Sequence, residues 1–440
     1  MSNTQEKPAQ SFPVQTSPAA LKGKAFFVHD PESGDPVAVS AEKFLKAEYK
    51  DLSMFDIFGG SLLARETANC YVVRTPGAYK FPLVYGNAIK NGVANQAAYT
   101  NQGGANQGNF VNHLGNQITS PFIEANASCK PHSSEICWQD EADLIVNLEL
   151  VEGGDCKYLQ FEVNSVPVTG ANALVAVKDN AGNILWSWHI WVTSEDLTPV
   201  KITNATPLVY EFLPVNIGWK WDSADRLKGK NPHFQWGRKD PFPCPKTYGS
   251  TSIITTYGQR AFTTENAVEK ATTIADSIKR PYSFFFGTEA NSYCWESSGK
   301  FNLWDAANNS TGVSDSVITK TIYDPSPVGF SVPNPRVFTG FTTTANNTSD
   351  ATQFNVIGAF TNGWFFKRNP NDTVGHFFAA SGCRAYDGGG LDSVGSLGYY
   401  WAAVPSSAAN GRYLSFYASS VNPLNAYSRA YGFSVRAVRE

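Results

Sequence analysis

Asn180-Ala181-Gly182-Asn183 followed by Ile184-Leu185-Trp186-Ser187-Trp188-His189-Ile190-Trp191-Val192 is the stretch that decides the fold class. The first four residues have the chemistry of a tight turn, and the nine that follow are rich in β-branched and aromatic residues. Successive side chains of a strand point to opposite faces. Trp186, Trp188 and Ile190 then share one face, while Leu185, Ser187, His189 and Trp191 share the other. The alternation therefore implies a strand with bulky groups on both faces. His189 inside such a strand reads as a core histidine satisfied by a hydrogen bond.

Working outward, similar runs lie at 144–150, 158–163 and 172–178, with Ala68-Asn69-Cys70-Tyr71-Val72-Val73 and Tyr79-Lys80-Phe81-Pro82-Leu83-Val84-Tyr85 before them. Asn, Gln and Gly crowd 91–109, which reads as a solvated loop. Short strands separated by turns predict an immunoglobulin-like β-sandwich over 61–195. Residues 196–228 read as a linker containing Asn216-Ile217-Gly218-Trp219. Residues 229–440 then mix short strands and long loops into an α+β domain, with helices expected at 264–278 and, more weakly, at 314–321. The fold class expected is mainly β.

At the other end, 1–21 lacks anything to bury and reads as an arm. Two runs around Asp30-Pro31 and Ser33-Gly34-Asp35 predict a hairpin. Ser40 then caps a short helix carrying Phe44, Leu45 and Tyr49. A hairpin and one helix cannot make a core, so 1–60 is expected to dock on a partner or to trimerise.

Composition narrows the function. Charged residues are 17% of the 440-residue chain, below the roughly 25% of average soluble domains, and aromatics are 13%. A net charge of −3 with no basic block excludes an electrostatic footprint for nucleic acid. No run of 18 apolar residues predicts a membrane-spanning helix. The start, Met1-Ser2-Asn3-Thr4-Gln5-Glu6-Lys7-Pro8, does not read as a secretory signal. Seven cysteines, an odd number without Cys-x-x-Cys, are expected as mostly buried thiols, although Cys129 and Cys137 could pair in an oxidising compartment. Six histidines without metal-ligand spacing, and no Gly-x-Ser-x-Gly elbow, give no catalytic or metal residue and no cofactor. The chain is expected not to be an enzyme.

The distinctive signal is C-terminal. Gly398-Tyr399-Tyr400-Trp401 opens a segment that ends in Gly432-Phe433-Ser434-Val435-Arg436-Ala437-Val438-Arg439-Glu440. Between them, Leu414, Phe416, Val421-Asn422-Pro423 and Arg429-Ala430 are separated by Ala, Ser, Tyr and Asn. Tyr supplies contact area at low entropic cost, while Ser and Asn supply adaptable hydrogen bonds, as in antibody loops.

Four separated motifs carry a resemblance: Phe234-Gln235-Trp236-Gly237-Arg238-Lys239-Asp240-Pro241-Phe242; Leu303-Trp304-Asp305; Tyr323-Asp324-Pro325-Ser326-Pro327-Val328-Gly329-Phe330-Ser331-Val332-Pro333; and the Gly-Phe-Ser-Val-Arg terminus. In this order they resemble the major-paralogous-domain family of Bacteroidetes surface proteins. That resemblance implies a C-type-lectin-like fold of the formylglycine-generating-enzyme variety over 229–440. The terminal segment also resembles the variable region of diversity-generating-retroelement proteins. On that likeness the ligand-facing residues are Ala402, Ala403, Ser406, Ser407, Asn410, Arg412, Ser415, Tyr417, Ser419, Asn425, Ala426, Tyr427, Ser428 and Tyr431. The family commonly has Cys where this chain has Ser326 and Ala437, a loss that fits folding in a reducing cytosol. Cys294 and Cys383 do not assemble the reactive arrangement of the formylglycine-generating enzymes. Glu-Pro-Asn and Trp-Asn-Asp, which mark calcium-dependent lectins, are absent, so binding is expected without calcium. The resulting expectation is a phage fibre or attachment protein, homotrimeric, held to capsid or tail by 1–60 and binding a host surface glycan or protein. It would reside in the virion. A bacterial cell-surface or fimbrial adhesin is the alternative.

Overall fold

The computed structural model describes residues 25–29, 36–40, 49–222, 225–269 and 272–440, the first two segments and Asp222 as backbone alone. The chain divides after Lys50. In the first part Ala25–His29 and Pro36–Ser40 pair antiparallel as the expected hairpin, and the helix expected after Ser40 lies outside the described residues. Residues 51–440 form one compact unit that is mainly β. Leu52 and Ile57 are buried in the main core, so the segment assigned to docking merges with this unit before residue 60.

Two four-stranded sheets pack face to face. In one, Cys70–Val73 runs parallel to Ile184–Val192, which pairs antiparallel with Ala171–Lys178, itself paired with Ser133–Gln139. In the other, Gly77–Pro82, Tyr158–Val163 and Ile145–Val151 lie side by side. Aromatic contacts join the sheets: Phe81 lies 4.8 Å from Tyr71 and 5.0 Å from Trp188, centroid to centroid.

All nine residues of Ile184–Val192 are buried, and the reason lies outside the sandwich. Ser187 Oγ donates to Asp240 Oδ1 at 2.7 Å, and Lys239 Nζ donates to the Ser187 carbonyl at 3.0 Å. Trp186 Nε1 donates to Asn69 Oδ1 at 3.0 Å, and Asn69 Nδ2 in turn donates to the carbonyls of Ile322 and Asp324. The C-terminal half thus packs on the sandwich. One core cluster runs from Leu52 to Ala437. His189 is buried, shares a 2.9 Å hydrogen bond with Asn172 Oδ1, and is pushed down to about 3 by burial, so it is neutral.

The segment 196–228 is no loose connection. Val200–Thr203 and Val209–Phe212 form a hairpin whose Phe212 pairs with Val438 near the end of the chain, and Phe330–Ser331 completes that sheet. Leu197, Ile202, Phe212, Leu213, Ile217 and Trp219 are buried there. Their apolar spacing, interrupted by Pro and Asn, hid two strands of only four residues each.

The helix expected at 264–278 is mostly something else. Thr263–Asn266 is a strand parallel to Ser283–Phe286, a role that suits β-branched Thr263 and Thr264. Among the described residues of this stretch only Ile274–Lys279 is helical, begun by a capping box between Thr273 and Asp276. Residues 314–321 form no helix: Asp305 accepts from the Thr319 amide at 2.9 Å, and Ser314 and Ser316 bond to each other, offering the backbone an alternative to helix.

Candidate functional site

The site is built on a three-stranded antiparallel sheet, Gly398–Pro405, Asn410–Tyr417 and Ser420–Ser428. Alternation sorts its side chains. Tyr400, Ala402, Leu414, Phe416 and Val421 enter a second core with Phe338, Phe366 and Phe378. Trp401, Ala403 and Tyr413 turn toward the main core. The sheet is therefore held from both faces at its centre, and only its ends and rims reach solvent.

The motifs that carry the family resemblance form the frame of this arrangement. Trp236 Nε1 donates to the Ala402 carbonyl at 2.9 Å, and Trp401 Nε1 donates to the Phe234 carbonyl at 2.7 Å. Gln235 Nε2 donates to the carbonyls of Phe285 and Ala430, both at 2.8 Å. Arg436 Nε donates to Asn216 Oδ1 at 2.6 Å, with its guanidinium 4.3 Å from the Phe378 ring centroid. These bonds match the buried indole, amide and guanidinium groups named here to partners in distant segments. Ser326 and Ala437 are both fully buried.

The ligand-facing set expected from sequence divides into three. Ala402 and Ala403 are fully buried and Ser415 and Ser428 nearly so, which removes all four from any ligand-facing surface. Ala402 packs into the second core and Ala403 into the main core, so neither is free to adapt to a ligand. Ser415 accepts from Asn425 Nδ2 at 3.1 Å, and Ser428 donates to the Tyr293 carbonyl. A second group sits at the hairpin turn: Tyr417, 39% exposed, and Ser419. The third sits at the opposite end, with Tyr427, 47% exposed, and half-buried Ser406, Ser407, Asn410, Arg412, Ala426 and Tyr431; half-buried Asn425 lies between the ends. Tyr417 pairs with Ser420 while Tyr427 pairs with Gly411, so six residues, about 20 Å of strand, separate the two exposed tyrosines. They do not form one contact surface.

At the Tyr427 end the structure adds residues that sequence reasoning missed. The Tyr386 ring lies 5.9 Å from Tyr427, 4.8 Å from Tyr431 and 4.8 Å from Tyr293. Three distant segments meet here, and a buried cation ties two of them, the Tyr293 and Tyr427 segments, together. Arg429 donates to the carbonyls of Lys300 and Ser407, both at 2.8 Å, reaches Glu296 at 3.5 Å, and lies 4.1 Å from the Trp236 ring centroid. Burial lowers its pKa from the ordinary arginine value, while Cys294 and Glu296 oppose that fall. Glu296 also accepts from the amides of Ser298 and Gly299. Nothing in the sequence links Tyr293 or Tyr386 to Tyr427.

Among the described residues no group of three or more His, Cys, Asp or Glu side chains is placed to hold a metal ion. All seven cysteines are buried and unpaired, Cys129 and Cys137 included. Burial pushes the Cys294 thiol up to about 11, so it is protonated at neutral pH. Comparison with protein families, curated proteins and solved structures gives no match to this chain.

Proposed function

We propose that the protein is a phage virion fibre or attachment protein that binds a host bacterial surface receptor through residues 229–440, without turnover and without calcium. The observation that carries this reading is the partly exposed tyrosine cluster at the Tyr427 end of a sheet fixed from both faces. Rigid aromatic side chains with polar tips are the groups that recognition surfaces use. Seven buried, unpaired thiols suit a chain that folds in a reducing cytoplasm, where virions assemble. The finer architecture belongs to the same proposal: the two packed sheets as an immunoglobulin-like sandwich, and the C-terminal region, closed by pairing of Phe212 with Val438, as a C-type-lectin-like domain. In this scheme the N-terminal segment docks on capsid or tail, and a homotrimer multiplies weak contacts.

The test is mass spectrometry of density-banded particles and of washed envelopes from a producing culture. Stoichiometric recovery in particles is the expected result. Recovery from envelopes alone would replace the virion reading with the cell-surface or fimbrial adhesin.

A further inference from the structure

Tyr293, Tyr386, Tyr427 and Tyr431 come together from three segments far apart in sequence. Their rings are mutually inclined, 83° between Tyr293 and Tyr386, 72° between Tyr386 and Tyr427, and 57° between Tyr427 and Tyr431. Neighbouring centroids are 4.8–5.9 Å apart, so the rings fill the space between themselves and leave no hollow for a small cation. What remains open is their outer surface. None of the four hydroxyls has a hydrogen-bond partner among the described residues.

The backbone under this cluster is strained and braced. Ser292 and Tyr293 are consecutive non-glycine residues in the left-handed region, at φ 53° and 57°. Such conformations are disfavoured for residues with a Cβ and persist where surrounding structure over-determines them. Here the Tyr293 amide donates to the Thr288 carbonyl at 2.8 Å, and the Tyr293 carbonyl accepts from Ser428 Oγ. Gly287 joins the two loops: its amide donates to the Tyr386 carbonyl at 2.9 Å, and a Cβ on it would meet the Tyr293 carbonyl carbon at 2.3 Å. Strain held in place by two other segments, at a surface tyrosine, points to use of that tyrosine.

The surroundings select the chemistry of the ligand. The large exposed aliphatic side chains, among them Leu63, Val93, Val168 and Val374, all lie outside these three segments. The charged group acting on the Tyr386 phenol is the carboxylate of Asp387, and the groups acting on Tyr431 are a thiol and other phenols. The shelf thus offers aromatic faces and hydroxyls with a carboxylate at its edge, while half-buried Arg412 at the same end pairs across from Ala426, on the face opposite to Tyr427, and is engaged with the Thr311 carbonyl at 2.9 Å. Sugar rings, with an apolar C–H face and a fringe of hydroxyls, match both halves of what tyrosine presents.

We propose that Tyr293, Tyr386, Tyr427 and Tyr431 form a stacking shelf for a neutral glycan. This rests on the receptor-binding reading above and extends the site to residues outside the C-terminal segment. The test measures binding of the labelled full chain to cells of the producing culture, untreated, protease-treated or periodate-oxidised, periodate cleaving the vicinal diols of sugars. The expected result is binding that survives protease, falls after periodate, and weakens about tenfold or more in Tyr386→Ala, with Tyr386→Phe intermediate. Should Tyr386→Ala melt well below the parent, Tyr427→Ala, at a more exposed position, carries the same expectation. Binding abolished by protease and indifferent to periodate would overturn the glycan while leaving receptor binding intact. Binding unchanged in the tyrosine variants would overturn the shelf. Absence of binding to any of the cells would overturn both readings.

Discussion

Arg429→Met is the sharpest probe of how the site is held. The side chain is fully buried, and methionine roughly keeps its length while removing its charge. Two carbonyls, Lys300 and Ser407, lose their 2.8 Å donors, and Glu296 loses the cation that balances it. Breaking a buried ion pair by removing one partner costs about 3–5 kcal/mol, chiefly because the remaining charge stays buried. The donors left to Glu296, from Ser298 and Gly299, compensate part of this, so about 4 kcal/mol is expected. Residues 51–440 share one core, and an unfolding entropy of about 2 cal/mol/K per residue gives roughly 0.8 kcal/mol/K for that unit. The melting temperature then falls by about 5 °C.

Calorimetry with a double-mutant cycle checks the reasoning. Glu296→Gln in the Arg429→Met background removes the stranded charge, so the two substitutions should couple by about 1 kcal/mol or more. A single-variant cost under about 1 kcal/mol, or additivity within about 0.5 kcal/mol, would refute the view that this pair braces the Tyr293 and Tyr427 segments.

Two further outcomes follow from burial. Ala402→Leu forces a larger side chain into the second core and should cost about 1–3 kcal/mol, whereas Ala426→Leu at a half-buried position should stay within about 0.5 kcal/mol; denaturant unfolding compares them, and equal stability would return Ala402 to the surface. The buried thiols make stability fall in alkali. Cys294 has its pKa raised by burial from the ordinary 9.0 to about 11, so the folded state prefers the neutral thiol. Its contribution is full below pH 9 and lost as pH rises through about 11. Cys294→Ala should flatten the decline of the denaturation midpoint between those values, and an unchanged slope would count against it.

How much of this was legible is decided by range along the chain. Ile184–Val192 announced itself because period-two alternation and aromatic density are local, but its double-sided bulk was not read as a sign that something covers the sandwich. What covers it was not local: Asp240 meets Ser187 across 53 residues, and Asn69 meets Ile322 across 253. The same limit explains the errors. Thr263–Asn266 looks helical until Ser283–Phe286 is placed beside it, and 196–228 looks like a linker until Val438 pairs with Phe212. Ala402 looks like part of an adaptable surface because small residues serve both close packing and adaptability, and composition cannot separate the two.

The division of labour within the last forty residues follows from this packing. In Asn410–Tyr417 and Ser420–Ser428, the side chains that enter the second core, such as Leu414, Phe416 and Val421, leave little freedom to substitute. Arg429 and Arg436, just beyond, are tied to carbonyls of distant segments and are equally constrained. Freedom is left at the two ends of the sheet, about 20 Å apart, where Tyr417 and Ser419 stand at one end and Tyr427 at the other. Substitution at these positions changes what the surface presents without touching either core. The Tyr427 end has in addition a backing of Tyr386 and Tyr293; the terminal sheet braces the Tyr293 segment through Ser428 and Arg429, and Gly287 of that segment donates to the Tyr386 carbonyl. A surface that can vary at its tip while its support is fixed by buried ion pairs and indole hydrogen bonds keeps its shape as its contacts change, and the Tyr427 end is where that condition is met.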